Sequence, residues 1–480
     1  MAVIFGDTSN SLSGNQQGGN QTLTGVDPTN TIFGDAGLNL LDKARGGDDT
    51  LLTHGAGSLF GDAGENISNH AVGGDDALTA QITTPTLDPI NLNMYGDAGG
   101  NISNHAVGGN DTLSAEIGGD VFINLNMYGD AGGNLSGHAV GGNDTLSLTQ
   151  AGFFSGISMN MYGDAGGNML GNAHGGNDTF NFANNGEDNF ACYGDAGLAM
   201  SGHVVGGNDT FSVQGTESNY TIYGDAGTEM NGHAVGGNDA VTDTGGVQCD
   251  VTFYGDTGGD MSDQAQGGND TFQADSAERR NTFYGDSGGN MGNHSVGGDD
   301  TFLGGTLANG TAINLAYGDA LTMSGNARGG DDTLTGGNFQ LPLPAGTYNN
   351  TLVGDAQTMS GSACGGNDKL VSGNGNDDMW GDAQVMLGKA QGGNDTFAFN
   401  LNNGHDKIED FGQGNKCVAG SNLGTDHIDV TALGIHDFSQ LAISAFDPTT
   451  HESTITFSAG NDVVVHSQVA LAQHDFLFAT

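Results

Sequence analysis

The chain of 480 residues carries 57 acidic side chains against 9 Lys and Arg, a formal charge of −48, and 88 glycines. So few cations exclude a surface that replaces counterions on nucleic acid, and no apolar run reaches the about 18 residues of a membrane-spanning helix. Glycine at about 18%, against a usual ~7%, excludes a string of ordinary domains, because Gly destabilises the interior of helices and strands.

The first residues, Met1-Ala2-Val3-Ile4-Phe5-Gly6, lack the charged and apolar regions of a cleaved signal peptide. From there the chain repeats. A Gly-Asp pair recurs thirteen times, with its acid at Asp7, Asp35, Asp62, Asp97, Asp130, Asp164, Asp195, Asp225, Asp256, Asp286, Asp319, Asp355 and Asp382. Each is followed by a second signature, Gly-Gly-Asn/Asp-Asp. Its acids are Asp49, Asp76, Asp111, Asp144, Asp178, Asp209, Asp239, Asp270, Asp300, Asp332, Asp368 and Asp395, with Gln21 standing in the first copy. First and second positions are 14 residues apart in ten copies and 13 in the last three, whereas the return to the next Gly-Asp takes 13 to 23. One part of each unit is metrically fixed and the other is free.

Apolar positions keep the same register. Two residues before the first Asp stands an aromatic, from Phe5 through Tyr95 and Tyr162 to Trp380, with Val353 the exception. Five residues after it stands Leu, Ile or Met, as at Leu40, Ile102 and Met200. Met323, Met359 and Met386 come after four, which places the one-residue deletion between Asp and Met. Two residues after the second Asp stands Leu, Phe or Val, as at Leu113, Phe180 and Phe397. Units this small cannot bury a core alone, but stacked copies can. This predicts an all-β parallel β-roll or β-helix solenoid of about thirteen coils over residues 1–397.

Alternating segments such as Asn91-Leu92-Asn93-Met94-Tyr95 and Thr210-Phe211-Ser212-Val213 are its predicted strands. Glycines turn the corners, and the Met column is core packing. The variable returns, such as 333–353 with Pro342 and Pro344, are expected to bulge as loops on one side. Residues 398–480 leave the pattern and are expected to form a small β cap. Cys192, Cys249, Cys364 and Cys417 are too few and scattered for a disulfide framework and read as free thiols.

Coils ~4.8 Å apart would line the aspartates into two columns. Carboxylates at that spacing repel by about 0.9 kcal/mol per pair in bulk water, and by more in a lower dielectric. Nine basic residues cannot neutralise them. The pattern therefore points to divalent cations between coils. Calcium suits carboxylates and glycine carbonyls in a flexible shell, whereas zinc wants His and Cys and magnesium a stricter octahedron. All the repeat aspartates from Asp35 to Asp395 are candidate calcium ligands.

Gly-Gly-Asn-Asp-Thr-Leu at 108–113 and 141–146, and Gly-Gly-Asp-Asp-Thr-Leu at 46–51, resemble the haemolysin-type calcium-binding repeats of RTX proteins. Tyr-Gly-Asp-Ala at 162–165 and 193–196 is similar to the companion motif of a longer variant of that repeat. The resemblance covers residues 5 to about 397. The unit is 27 to 36 residues long, rather than two nonapeptides of the Gly-Gly-x-Gly-x-Asp type. In the tail, residues 399–411 and 426–433 resemble the C-terminal region of RTX secreted proteins, and 474–480 their uncleaved type I secretion signal. The resemblance implies calcium at glycine corners, export by the type I secretion machinery, and an extracellular or cell-surface location. Calcium outside the cell would then supply folding energy.

Other motifs are weaker. Gly285-Asp286-Ser287-Gly288-Gly289 spells a serine nucleophile motif, but it is one repeat with Ser in place of Ala, and no catalytic His context accompanies it. His70, His105, His138, His203, His233 and His294 lie eight residues after the first Asp, with Asn172 and Gln264 in the same register. They read as a ladder of neutral imidazoles hydrogen-bonded along the stack, as a pH-sensitive stack, or as a transition-metal ladder. No cluster of non-repeated acids and bases marks an enzyme. Phe5-Gly6-Asp7 enters the first coil with no capping segment, and solenoids normally need caps. The expectation is a secreted calcium-binding structural protein that assembles head to tail into filaments or a surface layer. The alternative is a monomeric adhesin or glycan-binding module displayed by the variable loops.

Overall fold

The computed structural model describes residues 2–83, 86–119, 121–151, 156–245, 249–274, 280–307, 313–339, 350–412 and 426–480. It is all-β, 51% strand and 2% helix, with parallel stacked coils forming a β-solenoid of about twelve turns. Thirteen Gly-Asp corners bound twelve complete intervals, so the smaller count already follows from the spacing. The chain divides into two compact units, Met1–Asp250 with Asp256–Gly258, and Val251–Gly255 with Gly259–Thr480. The tail belongs to the second unit.

In the first unit each coil visits three parallel sheets. One coil runs Thr86–Tyr95, a Gly-Asp corner, Ile102–Asn104, a Gly-Gly-Asn-Asp corner, and Thr112–Ile117. The next coil repeats it in register, pairing Tyr95 with Tyr128, Ile102 with Leu135 and Thr112 with Thr145. Single bridges such as Ala98 to Ala131 and Val107 to Val140 mark the corners. The second unit follows the same plan, pairing Tyr284 with Tyr317, Met291 with Met323 and Thr301 with Thr333.

Alternation decides what is buried. Leu92 and Met94 point inward with no exposure, as do Ile102 and Leu113 from the other two sheets. Tyr95 lies on the opposite, outer face with Asn93 and is half-buried. The aromatics do stack, with Tyr95, Tyr128 and Tyr162 at centroid spacings of 4.8 Å, but as a ladder outside the core. Each ring covers a glycine of the next coil: a Cβ on Gly132 would collide with the Tyr95 ring. This explains the Gly two residues after most first aspartates. Copies that read Asp319-Ala320-Leu321 and Asp355-Ala356-Gln357 lack it, and there Tyr317 and Val353 sink to 3% and 0% exposure.

A left-handed turn follows the short middle strand. Asn69, Asn104, Gly137 and Gly202 have φ of 69°, 66°, 79° and 104°. Only Asn, Asp and Gly occupy this register in the first unit, the residues that tolerate that conformation. The expected loops of most long returns, at 152–155, 246–248, 275–279 and 308–312, lie outside the described residues. Longer returns lengthen the flanking strands: Thr50–Thr53 and Ala56–Phe60 become Thr112–Ile117 and Val121–Tyr128. Residues 340–349, with Pro342 and Pro344, lie outside the described residues.

The tail caps the coils of the second unit. Thr396–Ala398 pairs with His427–Asp429, which pairs with Phe476–Leu477. On another face, Asp377–Trp380 pairs with His405–Phe411, which pairs with Asn461–Ser467. Glu452–Ser458 and then Ala442–Ile443 extend that sheet antiparallel. Cys192 and Cys249 are buried thiols. Cys364 is disulfide-bonded, contrary to the thiol expected from sequence. Its side chain is only half-buried and can reach a partner, whereas Cys192 points into the core. Cys417 lies outside the described residues.

Candidate metal centre

All twenty-four candidate aspartates are inside the coils, none more than 2% exposed. They form two kinds of column. Each Gly-Asp carboxylate reaches across its own coil to the second glycine of Gly-Gly. The Gly74 and Gly109 amides donate to Asp62 and Asp97 Oδ2 at 2.8 and 2.9 Å, and Gly366 to Asp355 Oδ1 at 2.7 Å in the second unit. The second column runs along the stack. The Asp76 amide donates to Asp111 Oδ1, and the Asp111 amide to Asp144 Oδ1, each at 2.6 Å. In the second unit Asp300 donates to Asp332 Oδ1 at 2.7 Å and Asp368 to Asp395 Oδ1 at 2.9 Å.

The other oxygen is left over. Asp62, Asp97 and Asp130 Oδ1, and Asp76, Asp111 and Asp144 Oδ2, are buried with no hydrogen-bond partner among the described residues. So are Oδ2 of Asp319, Asp332, Asp355 and Asp368. These oxygens account for the glycines of both motifs. A Cβ on Gly96 would overlap Asp111 Oδ2 and the Gly129 carbonyl oxygen, and one on Gly73 would overlap Asp97 Oδ1. Neither glycine has positive φ, so the missing Cβ, not backbone handedness, is what the motif requires.

Burial, with neighbouring carboxylates adding to it, holds these acids far above the usual carboxylate range. Asp35 is pushed up to about 10, Asp49 to about 8, and Asp130 and Asp382 to about 7. Asp111 is raised by burial first, then by Asp97, Asp144 and Asp76, so the two columns sense each other.

The third corner, before the aromatic-bearing strand, makes a contrast. Asp377 accepts from the Gly373 amide at 2.8 Å and from Asn350 Nδ2. Asp406 accepts from the Asp377 amide, Ser372 Oγ and Asn403 Nδ2 at 3.0, 3.0 and 2.7 Å. All four of these carboxylate oxygens have protein donors, whereas Asp188 and Asp243 at the same corner of the first unit each keep a buried Oδ2 without one among the described residues. Sequence reasoning also missed the ends of the columns. Asp410 accepts from the Gly381 and Asp382 amides at 2.8 and 3.0 Å, and Asp426 from Asp395 and Gly412 at 3.1 and 2.6 Å. Asp426 carried a signal: Ile428 stands two residues on, as Leu113 does after Asp111.

Among the described residues no three His, Cys, Asp or Glu side chains converge to hold a metal ion. An ion at these corners would take one or two carboxylate oxygens and the rest from backbone carbonyls such as Gly129 O beside Asp111 Oδ2. That all-oxygen set fits calcium and not zinc.

Ser287 is buried and its Oγ donates to the Gly259 carbonyl at 2.6 Å, a packing role within its repeat. The histidine rings stack, His70 on His105 and His105 on His138 at 5.0 and 4.9 Å. These three rings are not hydrogen-bonded to one another, because parallel rings hold their nitrogens side by side with N–H and lone pair in the ring plane, whereas His294 Nε2 lies 3.5 Å from Asn326 Nδ2 of the next coil. A scan of protein-family models, a search of curated proteins and a search of solved structures each find no match to this chain.

Proposed function

We propose that the chain is a secreted calcium-binding structural protein of the RTX kind, which folds outside the cell and assembles end to end into filaments or a surface layer. One observation carries the calcium reading. The third-corner acids Asp377 and Asp406 are fully hydrogen-bonded, whereas column acids such as Asp62, Asp97, Asp111, Asp144, Asp332 and Asp368 keep a buried oxygen with no protein donor among the described residues. A buried ionised group without a partner costs several kcal/mol. Repeated along both columns, that exceeds the 5–15 kcal/mol margin of an ordinary fold. Calcium would supply counter-charge and folding free energy there.

Two further features support the rest. A disulfide at Cys364 suits an oxidising compartment. Among the described residues Ala2–Phe5 has a strand neighbour on one edge only, with Val3 51% and Phe5 39% exposed, and such edges template pairing. The test is refolding in EGTA at pH 7.5, then calcium titration followed by far-UV circular dichroism and negative-stain electron microscopy. Strand signal appearing with calcium at up to millimolar concentration, and assemblies that vanish in EGTA, are expected. A chain equally folded in EGTA overturns the calcium reading. Folded particles that stay discrete in calcium overturn the assembly reading.

A further inference from the structure

The histidine column takes no part in the corners. His70, His105 and His138 occupy three successive coils, exposed, with ring planes within 9° and 3° of parallel. His203 and His233 form a second pair at 4.7 Å and 2°. Each backbone is fixed by the left-handed turn before it: the His70 and His105 amides donate at 2.7 Å to the Asp42 and Asn69 carbonyls of the preceding coil. A groove of about 530 Å³ runs beside the triple, bordered by Asn69, Asn104 and Gly137. No ring nitrogen of these five histidines is bonded to a described residue. Lys43 holds the register one coil before His70, and Asn172 one coil after His138.

We propose that this column binds a divalent transition metal that prefers imidazole, copper(II) or zinc(II), at sites separate from the oxygen-lined corners. Imidazole nitrogen suits both ions at 2.0–2.1 Å for zinc, and copper(II) binds such donors most tightly. The stacked rings are parallel rather than convergent, in keeping with the absence of a ready-made cluster among the described residues. Their attachment points are one coil apart, ~4.8 Å, and nothing bonds the rings in place. Two neighbours can therefore turn about Cβ–Cγ toward one ion, with water completing its shell. His105 can pair with either neighbour, but His70 and His138, two coils apart, cannot share an ion without it. The corner columns offer only hard oxygen donors behind buried walls, so the two sites select different metals by donor type.

The test uses tag-free, full-length protein in millimolar calcium, titrated with Cu²⁺ alone and with Zn²⁺ alone by calorimetry, with electron paramagnetic resonance on the copper form. Two ions per chain are expected, with nitrogen hyperfine structure in the copper spectrum. His105→Asn should remove the first site and His203→Asn the second, each weakening its step at least tenfold. Asn stands naturally in this register at Asn172, so the circular dichroism of both variants should match the parent. His105→Gln and His203→Gln, which copy the natural Gln264, serve as a second pair if an Asn variant misfolds. Unchanged binding in the double variant, or a copper spectrum with oxygen coordination only, overturns the proposal. The spectrum of the parent protein decides this even if the corners prove not to bind calcium.

Discussion

Asp111 divides its two oxygens between two tasks. Oδ1 holds the Asp76 amide at 2.6 Å, and Oδ2 lies unpartnered against Gly96. Asp111→Asn keeps an acceptor oxygen and removes the charge. Without metal at pH 8 it should raise stability by about 1–3 kcal/mol, because a buried unpaired charge is gone. In saturating calcium the same change should lower stability, because a ligand is lost. Denaturant melts in EGTA and in calcium read the two signs, and one sign in both media would reject calcium at this corner. Gly96→Ala is different. Its Cβ would overlap both Asp111 Oδ2 and the Gly129 carbonyl, so it should cost about 3 kcal/mol or more in either medium. A variant as stable as the parent would mean the corner can open.

At the scale of a column, titration is collective. The folded pKa of column acids such as Asp35, Asp49, Asp130 and Asp382 lies above the unfolded value, so protons favour the folded chain. The metal-free fold has this contribution in full below the unfolded value of ~3.9. It loses it as pH rises through about 7 for Asp130 and Asp382, about 8 for Asp49 and about 10 for Asp35. Metal-free protein should therefore melt at a higher temperature at pH 5 than at pH 8, and calcium at pH 8 should restore the loss. A melting temperature that climbs from pH 5 to pH 8 without metal would contradict the buried columns.

The columns and their register were readable because the step from first to second Asp is 14 or 13 residues throughout, while the expected thirteen coils counted corners and not the about twelve turns between them. The third corner was not, because the returns vary in length and break the count. Its buried ladder, Asn281 donating to Asn314 Oδ1 at 3.0 Å and Asn314 to Asn350 Oδ1 at 2.7 Å, keeps one position before the Gly-Asp pair, but Leu92, Leu125 and Met159 fill that position in earlier coils and hid it. The aromatic ladder was legible as a stack but not as a surface feature, since stacking looks alike on either face. The alternation in Asn91-Leu92-Asn93-Met94-Tyr95 held the answer, because it sets Tyr95 on the asparagine side.

At the scale of the molecule, much of the −48 charge is carried inside the coils, which leaves the way two copies can meet to a few surfaces. Among the described residues, the strand Ala2–Phe5 is one of these, with Val3 and Phe5 exposed. Val3→Lys places a charge on it, a device that blunts sheet edges. Electron microscopy in calcium should show assemblies lost in this variant, with calcium-dependent circular dichroism retained. Assemblies that persist would move the contact to another face.

The second column also has a direction. In each unit the amide of one coil is held by the carboxylate of the coil that follows, never the reverse, and the relay of the second unit ends on Asp426 in the tail. Beside it runs the opposite relay, in which the Asn110 and Asn143 amides are held by Asp75 and Asn110 of the coil before, so an interior coil is completed only between two neighbours. Closure at these corners can therefore start at any pair of coils that has met and spread in both directions along a unit.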